Sequence, residues 1–85
     1  MDARMLDGNA VAGLLQEIFA VEMTTASGTC DGCGASDAMG AAHVYEGAGI
    51  VLRCPQCGNA LVKIVKDDAR VWIDLRGLRT LEIRV

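Results

Sequence analysis

Eighty-five residues allow one domain on the small side, and at that size a hydrophobic core alone supplies little net stability, so a structural metal is a usual remedy. The formal charge of -3 is unevenly divided: residues 1–42 carry six acidic groups and one basic, residues 43–85 five acidic and seven basic. This balance is a poor start for nucleic-acid binding, whose affinity comes mainly from cations on phosphate. It leaves only a local basic strip in the C-terminal half, and no apolar run approaches a membrane span.

The start, Met1-Asp2-Ala3-Arg4, is acidic early and leads into no apolar run long enough for a signal peptide, so a cytoplasmic protein is expected. From Asp7 to about Val21 the spacing predicts a helix, with Val11, Leu14, Leu15, Ile18 and Phe19 on one face and Asp7 or Asn9 as N-cap. That face either completes the core or docks a partner. Thr24 to Thr29 reads as a short polar linker, so residues 1–27 form a helix-and-linker segment ahead of residues 28–85, the two making one compact domain.

Cys30-Asp31-Gly32-Cys33-Gly34 follows, and then Ala35 to Gly40, which is small and turn-prone. His43-Val44-Tyr45 and Ile50-Val51-Leu52-Arg53 flank Glu46-Gly47-Ala48-Gly49 and read as a hairpin whose second strand leads into Cys54-Pro55-Gln56-Cys57-Gly58. Beyond Cys57 a second hairpin is expected. A turn at Asp67-Asp68 pairs Ile64 with Val71, Val62 with Ile73 and Ala60 with Leu75 on an apolar face, and Lys63 with Trp72 and Val65 with Arg70 on the other. Gly77 breaks the chain before a last strand over 80–85, in which Leu81, Ile83 and Val85 alternate with Thr80, Glu82 and Arg84.

The strongest signal is the cysteines. All four lie in two C-x-x-C pairs separated by twenty residues, a spacing that reads as a zinc site. Two intervening residues let one tight turn present both sulfurs to one metal. The glycine after each pair suits a turn that needs positive φ, and Pro55 fixes φ at the start of the second. In a reducing compartment these thiols ligate metal rather than form disulfides. Cys30, Cys33, Cys54 and Cys57 are therefore the metal ligands, Zn2+ first and iron second, one ion per chain. Zinc on four thiolates takes the net charge to about -5. Four thiolates close a zinc site, whereas catalytic zinc keeps a position open, so the expected role is structural.

No Ser-His-Asp set, phosphate loop or paired catalytic carboxylate can be assembled from the remaining residues, so no enzyme is expected. His43, the single histidine, reads as a strand residue, with an accessory metal ligand as its functional alternative. Arg70, Arg76, Arg79 and Arg84 read as a solvated face. A hydrophobic share of 52% is high for so small a domain, and the surplus points to a protein partner or a second copy.

Residues 28–85, through Cys30, Cys33, Gly34, Cys54, Pro55, Cys57 and Gly58, resemble zinc-ribbon proteins, in which antiparallel hairpins and a three-stranded sheet carry two knuckles. The resemblance implies a small metal-stabilised α+β fold and a non-enzymatic interaction or adaptor module. The layout, with its N-terminal helix and the run Val71-Trp72-Ile73-Asp74-Leu75-Arg76-Gly77, also resembles a family of short bacterial proteins known only as a domain of unknown function. The knuckles alone resemble those of rubredoxins, implying an iron electron carrier, although rubredoxin cores are rich in aromatic residues and this chain has three. A looser likeness is to hydrogenase-maturation nickel chaperones, implying a metallochaperone; their nickel site uses a histidine after the initiator methionine, where this chain has Asp2.

Overall fold

Aliphatic and β-branched residues dominate the chain after residue 42, and strands accordingly carry most of the architecture. The computed structural model describes residues 6–84. Its elements run β1 (Leu6–Asp7), a 3-10 turn (Gly8–Val11), α1 (Ala12–Phe19), a 3-10 turn (Met23–Thr25), β2 (Ser27–Cys30), β3 (Ser36–Ala38), a 3-10 turn (Met39–Ala41), β4 (His43–Glu46), β5 (Ile50–Arg53), β6 (Ala60–Lys66), β7 (Val71–Asp74) and β8 (Leu78–Glu82). They form a small α+β fold with two antiparallel sheets. One has the order β1-β4-β5-β6-β7, the other β3-β2-β8. No helix among the described residues is long and apolar enough to cross a membrane.

The core follows from alternation across the larger sheet. Val44 faces Leu52, Leu52 faces Val62, and Ile50 faces Ile64, which sets Val44, Leu52, Val62 and Ile64 side by side on one surface. All four are buried, and Val11 and Leu15, Met23, Ala26, Met39 and Ala42 close over them. Ile18, Phe19, Leu78 and Leu81 pack at the margin. At the rim Lys66 of β6 reaches Glu17 of α1 at 3.2 Å, an exposed ion pair worth at most about 1 kcal/mol.

The helix is shorter than the expected Asp7–Val21. Leu6 pairs with Val44 and Asp7 with His43, which holds Asp7 extended, so the chain turns through a 3-10 segment before α-helix begins. Neither Asp7 nor Val11, which precedes α1, makes a side-chain cap bond. At the other end Ala20 enters the left-handed region at φ 60 and its N–H donates to the Gln16 carbonyl, ending the helix at Phe19.

Three further expectations are corrected. Thr24 to Thr29 is not a bare linker: Met23 and Thr24 are buried in a 3-10 turn, and β2 begins at Ser27 as the centre of the smaller sheet. Ser36–Ala38 is strand β3, paired with β2, rather than plain turn. The β6–β7 hairpin exists, but its register is shifted by two: Ile64 pairs with Ile73, Val65 with Trp72, Lys66 with Val71 and Lys63 with Asp74. The cause is the loop. Asp67 Oδ1 accepts the N–H groups of Ala69 and Arg70 at 2.8 and 2.7 Å, and the Asp67 N–H donates to the Arg70 carbonyl, so four residues span the turn. Trp72, paired with Val65 instead of Lys63, carries Arg70 over its ring, 5.5 Å from the centre. The hairpin face expected to be half-buried is exposed along β7 at Val71 and Ile73.

The break at Gly77 is present, but the last strand is Leu78–Glu82, so Ile83 lies beyond it. Val85 and the opening Met1-Asp2-Ala3-Arg4 lie outside the described residues.

Burial of alternate residues on β5 gives a direct check. Leu52 is fully buried while Val51, paired with Tyr45 and Lys63, points to the opposite face. Urea unfolding of Leu52→Ala should show a loss of about 2–5 kcal/mol, a large share of what a domain of this size has. Val51→Ala should cost far less; equal losses would contradict the assigned faces.

Candidate metal centre

The two cysteine pairs fold alike because the same local requirements recur twenty-four residues apart in the sequence. In the first knuckle Cys30 N–H donates to the Ala35 carbonyl and Gly34 N–H to the Cys30 carbonyl, both at 2.9 Å. In the second, Cys54 N–H donates to the Asn59 carbonyl at 2.8 Å and Gly58 N–H to the Cys54 carbonyl at 2.9 Å. Gly34 and Gly58 stand at φ +80 and +81, a conformation that costs side-chain-bearing residues and not glycine. Each turn also aims a backbone N–H at its first sulfur: Gly32 at Cys30 Sγ, 3.3 Å, and Gln56 at Cys54 Sγ, 3.4 Å.

The knuckles belong to different sheets. The first joins β2 to β3 in the smaller sheet, and the second joins β5 to β6 in the larger. Both strands entering a knuckle carry a register irregularity at its threshold, at Thr29/Cys30 and at Leu52/Arg53. The four sulfurs meet between them. All four lie within 4.8 Å of one another, with Cys30 Sγ 3.6 Å from Cys57 Sγ and Cys33 Sγ 3.7 Å from Cys54 Sγ.

These separations fit a metal and not a disulfide, whose S–S bond is about 2.05 Å. A tetrahedron with metal–sulfur bonds of about 2.3 Å has edges of about 3.8 Å, close to the two shortest contacts. Cys30 and Cys54 are buried while Cys33 and Cys57 are exposed, so each knuckle supplies one inner and one outer sulfur. The four cysteines predicted from spacing are thus brought together. His43 is not among the clustered groups. It sits on β4 opposite Arg53, which donates to the Gly58 carbonyl at 2.9 Å and lies 5.7 Å from the centre of the Tyr45 ring.

Electrostatics in the cage favour ionisation of Cys30 and resist that of Cys33 and Cys57. Burial works against ionisation of Cys30, but the N–H groups of Cys33 and Gly32, the Asn59 amide and the Cys57 thiol outweigh it, bringing its pKa down to about 6. Cys57 receives an N–H from Asn59, yet burial and the neighbouring Cys30, Cys33 and Cys54 push it up to about 12. Cys33 is likewise raised: the Ala35 N–H is outweighed by burial and by Cys54 and Cys30. Four thiolates at these distances require a cation among them.

Two residues beyond the motif hold the site together. Asn59 Nδ2 lies 3.6 Å from Cys30 Sγ and 3.3 Å from the Gly77 carbonyl, so one amide ties the second knuckle to a sulfur of the first. The Gly77 carbonyl also accepts the Asp31 N–H at 2.9 Å. Gly77 is pressed so close to Ala60 that a Cβ would stand 1.8 Å from the Ala60 carbonyl oxygen. Gly77 had been legible only as a strand breaker, and Asn59 carried no signal beyond its place after Gly58.

Beside the first knuckle an open groove of about 440 Å³ is lined by Asp31, Gly32, Asn59, Lys63, Asp74 and Arg76 among others. Asp74 and Arg76 close on each other at 2.7 Å, and that hydrogen bond holds the Asp74 carboxyl down to about 2, so it stays ionised and cannot serve as a general acid near neutrality. Arg79 lies 3.5 Å from Asp31, and Arg70 covers Trp72. Arg70, Arg76, Arg79 and Arg84 are all exposed, as expected of a solvated face, and the first three also make these local contacts.

No curated protein and no solved structure matches this chain. Residues 1–85 match the model of DUF6510, a family of unknown function, and with the whole chain covered the protein belongs to that family.

Proposed function

We propose that this protein is a zinc ribbon: a cytoplasmic, non-enzymatic interaction module in which Cys30, Cys33, Cys54 and Cys57 hold one structural Zn2+. The observation that carries the reading is the convergence of four sulfurs from two matching knuckles, all within 4.8 Å. A bound ion would neutralise thiolates that otherwise repel and would fasten the smaller sheet to the larger. With all four positions taken by protein, the ion has no site for substrate or water, which supports a structural role over catalysis. The exposed apolar residues of the larger sheet supply a surface for a protein partner.

Iron is the second reading, because amide N–H groups on Cys30 and Cys54 Sγ suit an iron–thiolate site as well. The aromatic residues favour zinc. Tyr45 and Trp72 are 44% and 49% exposed on the larger sheet, rather than forming the aromatic core expected of a rubredoxin. A metallochaperone role has less support: His43 stands apart from the cluster, and position 2 is Asp2 where the nickel chaperones have a histidine.

Elemental analysis and a visible spectrum of freshly purified protein should give one zinc per chain and no colour. One iron per chain with a reversible charge-transfer band would replace the zinc reading with a redox one. Cys54→Ser should abolish cooperative unfolding, because in small metal domains the binding energy of the ion is folding energy; a native circular-dichroism spectrum and melting curve in that variant would contradict this.

Acid should release the metal. The metal-bound state carries fewer protons than the metal-free one, so falling pH favours release. Cys33 and Cys57 are raised and hold protons at neutral pH in the metal-free chain. Affinity should then fall by at least about 100-fold per pH unit, and more steeply below about 6, where Cys30 also takes a proton. Competition with a chromophoric chelator across pH 5 to 8 measures this slope; a flat profile would exclude thiolate ligation.

A further inference from the structure

The larger sheet ends at β7, and no strand among the described residues covers that edge. Val71, Trp72 and Ile73 are 41, 49 and 39% exposed, with Val65 beside Trp72 and Leu75 just beyond the strand also exposed. Natural edge strands usually carry a lysine, a proline or a bulge that blocks further pairing. Residues 67–76 contain no lysine or proline, and the β6–β7 ladder runs without a bulge.

The hydrogen-bond parity of this edge can be read from the turn. The Asp67 N–H donates to the Arg70 carbonyl, so that pair is of the hydrogen-bonded kind, and by alternation Val65 with Trp72 and Lys63 with Asp74 are too. The backbone groups of Arg70, Trp72 and Asp74 thus point toward β6. Those of Val71 and Ile73 point outward, an unfilled template for another strand.

We infer that β7 pairs antiparallel with the β7 of a second copy of this chain, about a two-fold axis through Trp72, joining two five-stranded sheets into one. In this register Val71 faces the partner's Ile73 and each such pair exchanges two hydrogen bonds, using the outward groups. Trp72 faces the partner's Trp72 at a position without hydrogen bonds, where side chains approach most closely. Arg70 faces the partner's Asp74, and the reverse, so that each Asp74 carboxylate is shared between its own Arg76 and the partner's Arg70 and opposite charges bracket the apolar centre. The charges also select the register. A shift of two residues one way sets Asp74 against the partner's Asp68, and the other way sets Arg70 against the partner's Arg76. Only the central register pairs opposite charges, and the two-fold makes the contact closed rather than fibrous.

The inference rests on the interaction-module reading only in taking the exposed surface as a working one; it does not depend on which metal the cysteines hold. A zinc-loaded monomer would sink the dimer and leave the zinc reading, and an iron-loaded dimer would do the reverse. The test uses the full metal-replete chain in sedimentation equilibrium and amide hydrogen exchange at one concentration. The expected mass is twice 9.0 kDa. Trp72→Lys, which opposes two cations on the axis, should give a folded monomer in which the Val71 and Ile73 amides exchange at least tenfold faster while the amide at position 72, paired with Val65, stays protected. Should that variant fail to fold, Arg70→Asp alone should dissociate the dimer and Arg70→Asp with Asp74→Arg should restore it. A wild-type monomer, an open-ended aggregate, or a dimer whose Val71 and Ile73 amides exchange as fast as in the monomeric variant would overturn the proposal; the first would leave the edge to a strand from a different protein.

Discussion

Four sulfur atoms within 4.8 Å of one another are the constraint on which the rest of the molecule depends. Without a cation the cage favours a thiolate at Cys30 and keeps Cys33 and Cys57 protonated. With one, four charges are balanced at a single point where two sheets meet. Each sheet is thin by itself: the smaller has three strands and little buried apolar surface, and the larger relies on α1 and the 3-10 turns for cover. The direct links between them at the knuckles are few, namely Asp31 and Asn59 on the Gly77 carbonyl and Asn59 on Cys30. A metal held there would add a rivet where packing is weakest, as small domains often require.

The same economy of core explains where the apolar surplus goes. Val44, Leu52, Val62 and Ile64 fill the inner face of the central strands, and the helix is only long enough to cover that region. The apolar residues of β7 lie past its reach. They are exposed on both faces of an edge strand, in a pattern bracketed by Arg70 and Asp74 that is complementary to itself under a two-fold. The four-cysteine cluster and the proposed pairing edge are thus separate features of the fold, one where the two sheets meet and the other at the free edge of the larger sheet.

The candidate site was legible because its information is local. Two C-x-x-C-G turns carry their own geometry, and Gly34 and Gly58 adopt the positive φ that their positions suggest. The hairpin His43–Glu46 with Ile50–Arg53 was legible for the same reason, since a short glycine-rich loop separates two β-prone runs. What was hidden depends on partners distant in sequence. β2 reads as a polar linker because Ser27 and Thr29 lack apolar alternation, and its strand character comes from neighbours on both sides, including the 2.8 Å contact of Thr29 with Ser36. The β6–β7 register slipped by two because one oxygen of Asp67 captures two amides and lengthens the loop. Faces survived that slip, as an even shift must allow, while partners did not. The role of Asn59 is not legible in the sequence because it depends on Gly77, eighteen residues on.

The most direct measurement of the central claim is X-ray absorption at the metal edge of the purified protein. Four sulfur scatterers at about 2.3 Å and no nitrogen are expected for zinc held by Cys30, Cys33, Cys54 and Cys57 with His43 outside the shell. A mixed sulfur–nitrogen shell, or fewer than four sulfurs, would contradict a closed four-cysteine centre.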